Sequence, residues 1–144
     1  MIRLIRDDEL EKLLGLYTHL HDNAVPAVDD RIKSVWESIV NDKNHNIIVA
    51  EEQGEIVSSC VCVIVRNLTH GQRPYALIEN VVTNPHYRNK GLATACLSFA
   101  KELAVTENCY KIMLMTGSKS SATLDFYRKA GYNSNDKTAF IMWL

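Results

Sequence analysis

The strongest constraint on the fold is a change of hydrophobic period just past the middle of the chain. Residues 75–83 (Tyr-Ala-Leu-Ile-Glu-Asn-Val-Val-Thr) are rich in apolar and β-branched side chains and read as a strand, which Asn84-Pro85 stops. Residues 91–106 then repeat at helical spacing, with Leu92, Cys96, Phe99, Ala100 and Leu103 on one face. Residues 109–115 return to a strand pattern. A strand, a helix and a second strand in that order make a crossover unit, so the sheet must contain one parallel pair, joined right-handedly.

The remaining elements fall around that unit. Residues 2–6 form a short strand. Asp7 or Asp8 then caps a helix carrying Leu10, Leu13, Leu14, Tyr17 and Leu20 at helical spacing, with Asp8 and Glu11 spaced as a capping-box variant. Asp29 or Asp30 caps a second helix with Ile32, Val35, Trp36 and Ile39 on one side. Residues 46–51 and 55–66 are β-branched runs joined by Gln53-Gly54, a hairpin signal. Residues 120–130 form a helix closed by Gly131, and 137–143 a last strand. The order is βααβββαβαβ, an α+β (mixed α/β, three-layer) domain whose central, mostly antiparallel sheet is flanked by helices. At 144 residues, without repeats or a linker, the expectation is one domain over 1–144.

Charge and cysteine content narrow the function. Sixteen Lys and Arg against seventeen Asp and Glu leave a net charge of −1, which lacks the electrostatic footprint of a general nucleic-acid binder. No run of about 18 apolar residues exists to span a membrane. The first eight residues are too charged for the core of a signal peptide, so a cytoplasmic protein is expected. Cys60 and Cys62 share one strand face, far in sequence from Cys96 and Cys109 and without paired histidines, so they read as small core hydrophobes and no metal site is expected. Gly117-Ser118-Lys119-Ser120 lacks the Gly-Lys pair of a phosphate-binding P-loop, and no dinucleotide-binding glycine motif occurs.

The turn Arg88-Asn89-Lys90-Gly91, opening the long helix at Leu92-Ala93-Thr94, is a candidate anion cradle. The first N–H groups of a helix lack internal partners and carry the positive end of its dipole. Gly91 lets a ligand approach the backbone closely, and Arg88 and Lys90 add charge, which suits a phosphate or pyrophosphate. An ordinary solvated turn would give the same composition. Arg88-Asn89-Lys90-Gly91-Leu92-Ala93 resembles the (Gln/Arg)-x-x-Gly-x-(Gly/Ala) signature of the GNAT superfamily of acetyl-CoA-dependent N-acetyltransferases, with Ala93 where glycine is commoner. Residues 120–132 resemble a second motif of the same family, with Ser120 in place of its Asn, Thr123 in place of its Ala and Tyr132 in place of its Phe.

The resemblance implies the GNAT fold, acetyl-CoA or CoA as coenzyme, an amine as acceptor and, by family habit, a homodimer. It implies that backbone amides from Arg88 to Thr94 bind the coenzyme's pyrophosphate, and that Ser120, Thr123 and Phe126 lie along its pantetheine arm. Val81, Val82 and Thr83 would grip that arm as a pseudo-strand, with an N–H near Val82 facing the thioester oxygen; plain strand core is the other reading of these residues. Tyr127 would give a proton to the leaving thiolate, its alternative being a core aromatic. Glu79, placed by alternation on one face with Leu77 and Val81, is the candidate base, buried among apolar neighbours; its alternative is a strand-edge carboxylate in solvent. His86 is a weaker candidate.

The acceptor is left open. The early helices and the loop 67–73 usually shape its pocket in this family. Asp22, Asp29 and Asp30 would favour a cationic amine, whereas Arg66, His70 and Arg73 would favour an acidic or phosphorylated one; helix caps and solvated strand ends account for the same residues. A small primary amine is the leading acceptor. Glu79 with Cys109-Tyr110-Lys111-Ile112 also resembles glucosamine-6-phosphate N-acetyltransferases. Acetylation of a protein or peptide, or acyl-CoA binding without turnover, are the other readings.

Overall fold

The computed structural model describes residues 1–21 and 24–144. Among the described residues, five strands form one sheet in the order β1 (Ile2–Leu4), β2 (His45–Glu52), β3 (Glu55–Val65), β4 (Tyr75–Thr83) and β5 (Ile112–Leu114). The first three pairings are antiparallel, and β4 with β5 is parallel, as the crossover requires. Helices α1 (Leu10–Tyr17) and α2 (Asp30–Val40) cover one face, and α3 (Leu92–Thr106) and α4 (Ser121–Lys129) the other.

Period two sorts the central strands between two cores. Ile48, Cys60, Cys62, Ala76 and Ile78 point to α3, where Cys96, Leu97, Ala100 and Ala104 meet them. Ile47, Val49, Val61 and Val82 point to Leu13, Leu16 and Trp36. The thiols of Cys60, Cys62 and Cys96 are buried small hydrophobes, with burial pushing the Cys96 thiol up to about 11. Gln53 and Gly54 both take positive φ, the backbone of a two-residue hairpin turn.

Asp29 caps α2 as expected, its carboxylate accepting from the Ile32 N–H at 2.9 Å. The start of α1 differs. Its N-cap is Glu9 rather than Asp7 or Asp8, and no side chain bonds the first turn. Glu9 is buried instead, accepting from both Arg3 terminal nitrogens (2.7 and 2.6 Å) and from the Arg6 N–H at 2.9 Å. A paired carboxylate can be buried where a free one cannot, so the ion pair with β1 displaces the cap. Trp36 Nε1–H donates to the Asp7 carbonyl at 2.8 Å and ties α2 to the same corner.

The last strand is absent. Residues 137–144 carry no secondary structure, and Phe140, Ile141, Met142, Trp143 and Leu144 are exposed. An extended apolar run becomes a strand only when another strand completes its hydrogen bonds, and within this chain none does so among the described residues.

Candidate active site

The site begins where β4 and β5 part. They pair through Ala76 with Ile112, Leu77 with Met113 and Ile78 with Leu114. From Glu79 to Thr83, β4 has β3 on one side and, among the described residues, no strand on the other. At the parting point Asn80 takes φ 51°, and the β3–β4 register shifts between Ser59 and Val61. Asn80 is thus the extra residue of a β-bulge, which bends β4 away from its neighbour. Ser58 Oγ fixes the far end of the bulged segment, bonding the Val82 carbonyl at 2.9 Å and the Thr83 hydroxyl at 2.8 Å.

The bulge overturns one expectation. It resets the alternation, so Val81 packs toward α3 while Glu79, opposite Val61, lies on the α1–α2 side. Glu79 and Val81 therefore do not share a face, and Glu79 is exposed rather than buried among apolar neighbours.

The cradle stands at the open end of this split. Asn84 Oδ1 accepts from the His86 N–H at 3.0 Å and caps the 3₁₀ turn Pro85–Tyr87, leaving His86 exposed in a loop. Asn89 (φ 61°) and Gly91 (φ 76°) then turn the chain into α3. Gly91 is the N-cap, with no side-chain bond to the first turn and no acidic residue within it. The helical ladder starts with the Ala95 N–H on the Gly91 carbonyl at 2.9 Å, so the N–H groups of Leu92, Ala93 and Thr94 are the helix's free donors. A Cβ on Gly91 would meet nothing within 4 Å, which leaves open space over the turn. Lys90 Nζ lies 4.6 Å from the Tyr87 ring centre and 3.8 Å from Glu52, and Arg88 is exposed.

Tyr127 approaches from α4. It is half-buried with Val81, Leu92 and Phe126 against the same apolar cluster, its ring 5.0 Å from Phe126 and 6.3 Å from Tyr132. Burial, and then Cys60 beside it, pushes the phenol above its ordinary range, which keeps the proton on. Tyr127 and Glu79 consequently lie on opposite faces of the sheet, with the split between them. Thr123 is half-buried on α4; Ser120 is exposed at its N-cap, its N–H on Ser118 Oγ at 3.2 Å.

The residues considered for an acceptor are scattered. Asp22 lies outside the described residues. Asp29 is spent as a cap, and Asp30 is exposed in the first turn of α2. His70 stacks on Tyr110 at 4.0 Å, and Arg73 donates to the carbonyls of Asn108 and Cys109 (3.1 and 2.9 Å). These bonds anchor the loop 67–73 to the C-terminal end of α3, a 15-residue helix. At 1.5 Å per residue that end is about 22 Å from the cradle. Arg66 lines a separate hollow of about 580 Å³ at that end, with Lys43, Gln72 and Glu107.

A cluster that sequence reading passed over lies under the bulge. Tyr17 of α1 is half-buried with Asn80 and Ser59 beside it; burial pushes its phenol up to about 12, and those two side chains oppose the shift. Ser59 Oγ is fully buried without a hydrogen-bond partner among the described residues. The polar pairs Ser58-Ser59 and Glu79-Asn80, interrupting two apolar strands, were the available signal. No group of three metal-ligating side chains occurs, and no helix is long and apolar enough to cross a membrane, among the described residues.

Known proteins share this chain's sequence pattern and fold. The model of the acetyltransferase (GNAT) family matches residues 10–132. A glucosamine 6-phosphate N-acetyltransferase of Trypanosoma brucei brucei is 28% identical over 141 residues, covering 94% of this chain and 90% of its own. The solved structure of an Agrobacterium tumefaciens protein superposes with a TM-score of 0.93 at 35% identity, over 100% of this chain and 99% of that one. An aminoglycoside N-acetyltransferase solved in complex with CoA shares the fold, with a TM-score of 0.79 at 16% identity over 100% of this chain and 99% of its own.

Proposed function

Since the chain belongs to the acetyltransferase (GNAT) family, and so is an acyltransferase, we propose that it moves an acetyl group from acetyl-CoA directly to the primary amine of a small molecule. The observation that carries this reading is the split between β4 and β5, which opens beside the uncapped N-terminus of α3. A pyrophosphate fits the free N–H groups of that helix, with Arg88, Asn89 and Lys90 on the turn and open space over Gly91. The pantetheine arm takes the place of the missing strand along Val81, Val82 and Thr83, and Ser120, Thr123 and Phe126 of α4 flank it.

The chemistry follows from the two sides of the sheet. A neutral amine reaches the thioester carbonyl from the Glu79 side; the C–N bond forms and the C–S bond breaks. The backbone N–H near Val82 meets the charge developing on the carbonyl oxygen, a contact worth about 3 kcal/mol when preorganised. Tyr127, on the other side, gives its phenolic proton to the sulfur. Glu79, open to solvent, takes the amine's proton directly or through water. The working form we propose is a cytoplasmic homodimer.

An amino sugar is the second reading, supported by the Trypanosoma relative. His70 and Arg73, two residues considered for an acceptor phosphate, are already anchored elsewhere, which favours an acceptor without that phosphate. Calorimetric titration with acetyl-CoA and with CoA, repeated on Tyr127→Phe, tests the proposal. Micromolar binding of both by both proteins, with turnover falling only in the variant, supports it. A variant as active as its parent would remove Tyr127 from the chemistry.

A further inference from the structure

Two tyrosines flank the bulge of β4, one on each face of the sheet, and the chemistry above uses only Tyr127. Tyr17, the last residue of α1, packs on the opposite face with Leu13, Leu16 and Val82. Ser59 lies opposite Val49 on β2 and Val82 on β4, both of that core, so its hydroxyl points toward α1. Ser59 Oγ is fully buried there without a hydrogen-bond partner among the described residues. Such orphaned groups are rare in folded proteins, because burying one without a bond is destabilising.

The Tyr17 phenol lies against Ser59 and against Asn80. Between the pairs Ser59 with Val82 and Val61 with Glu79, Asn80 and Val81 together oppose Cys60, and Asn80 carries the left-handed φ of 51°. A backbone in that region persists only where its surroundings hold it. Polar groups therefore run from buried Ser59, through Tyr17, to Asn80 at the exposed rim beside Glu79. Phenylalanine would fill the same apolar space as Tyr17, so the hydroxyl is what the bulge requires.

We infer that Tyr17 is a positioning residue for acetyl transfer: its hydroxyl, seated against Ser59, holds the Asn80 side chain and, through it, the bulge that opens the split and aims Glu79. Its lever is geometric, since misplacing reacting groups by about 1 Å can slow a reaction roughly 100-fold. The effect on rate rests on the acetyl-transfer reading above; the bracing of the bulge does not.

Two variants and their combination test the inference. Tyr17→Phe keeps the ring and removes the hydroxyl, whereas Asn80→Gly keeps the left-handed backbone and removes the carboxamide. Each should lower kcat roughly 10- to 100-fold with acetyl-CoA affinity nearly unchanged, and the double variant should be no slower than the slower single one. Ser59→Ala should raise Tm, because it removes an orphaned hydroxyl, and still lower kcat. A Tyr17→Phe as fast as the parent, or losses that multiply in the double variant, overturns the inference. Hydrogen exchange across residues 79–83 needs no substrate. It should quicken in Tyr17→Phe while the pairing of β2 with β3 stays slow; exchange unchanged from the parent overturns the bracing. A parent that acetylates no amine overturns the acetyl-transfer reading alone, and the exchange still decides whether Tyr17 holds the bulge.

Discussion

Gly91→Glu is the sharpest perturbation of the cradle, because its effects on fold and on binding separate. A Cβ at this position meets nothing within 4 Å, so there is no clash to relieve. The φ of 76° is left-handed, where an ordinary L-residue costs about 1–2 kcal/mol. For a domain of this size that lowers Tm by roughly 2–8 °C. Binding suffers for a different reason. A carboxylate roughly 6 Å from one phosphate charge is repelled by about 0.7 kcal/mol at the dielectric of water and about 3 kcal/mol at an effective value of 20. Coenzyme affinity should therefore fall roughly 3- to 100-fold, with the loss shrinking as salt is added. Gly91→Asn is the control, since Asn tolerates the left-handed region and carries no charge; it should bind within a few-fold of the parent. Calorimetry at low and high salt, with a thermal melt of each protein, reads both effects. A folded Gly91→Glu that binds acetyl-CoA like the parent would refute the cradle.

Tyr127→Phe should lower kcat about 10²–10⁴-fold while leaving coenzyme affinity nearly unchanged, as measured by steady-state kinetics beside calorimetry. Because burial raises the phenol above its ordinary value of 10.0, the acid stays loaded at neutral pH, and any loss of kcat from this group should set in at a higher pH than for an ordinary phenol. Arg3→Ala should cost about 3 kcal/mol in a denaturant titration at pH 7, since it strands the buried Glu9. The Arg3 guanidinium holds the Glu9 carboxyl at about 2, below its ordinary 4.5. The pair's stability is therefore present above pH 4.5 and is lost as pH falls toward 2, and a Tm series against Glu9→Gln should show the two proteins converging over that window. Asn80→Val should destabilise the chain by about 1–2 kcal/mol through its left-handed backbone, and kcat/KM should fall as the split narrows.

What could be read from the chain follows physical range. Local signals held: the Gln53-Gly54 turn, the Asp29 cap, and the switch of period across Asn84-Pro85 each act within a few residues. The cap expected at Asp7 or Asp8 failed because Arg3, on a different element, takes Glu9 into the core and Glu9 becomes the N-cap. The shared face of Glu79 and Val81 failed for a related reason. A bulge adds one residue without altering the apolar content of a strand, so alternation counts correctly up to Asn80 and with the wrong parity beyond it. Tyr17 and Ser59 were invisible as a pair, since only the packing of α1 on β3 brings them under the bulge. The tail reads as a strand because its side chains favour one; whether it finds an edge depends on a surface that no local pattern encodes.

The most direct test of direct acetyl transfer is to follow free thiol and acetylated amine together, with acetyl-CoA present and a panel of small primary amines and amino sugars added singly. Thiol should appear one for one with the acetylated amine, only when an acceptor is present, and the protein itself should gain no acetyl mass. Thiol released without an acceptor, with acetyl bound covalently to the chain, would contradict direct attack. Saturable coenzyme binding without thiol release for any amine would contradict turnover and leave a binding module.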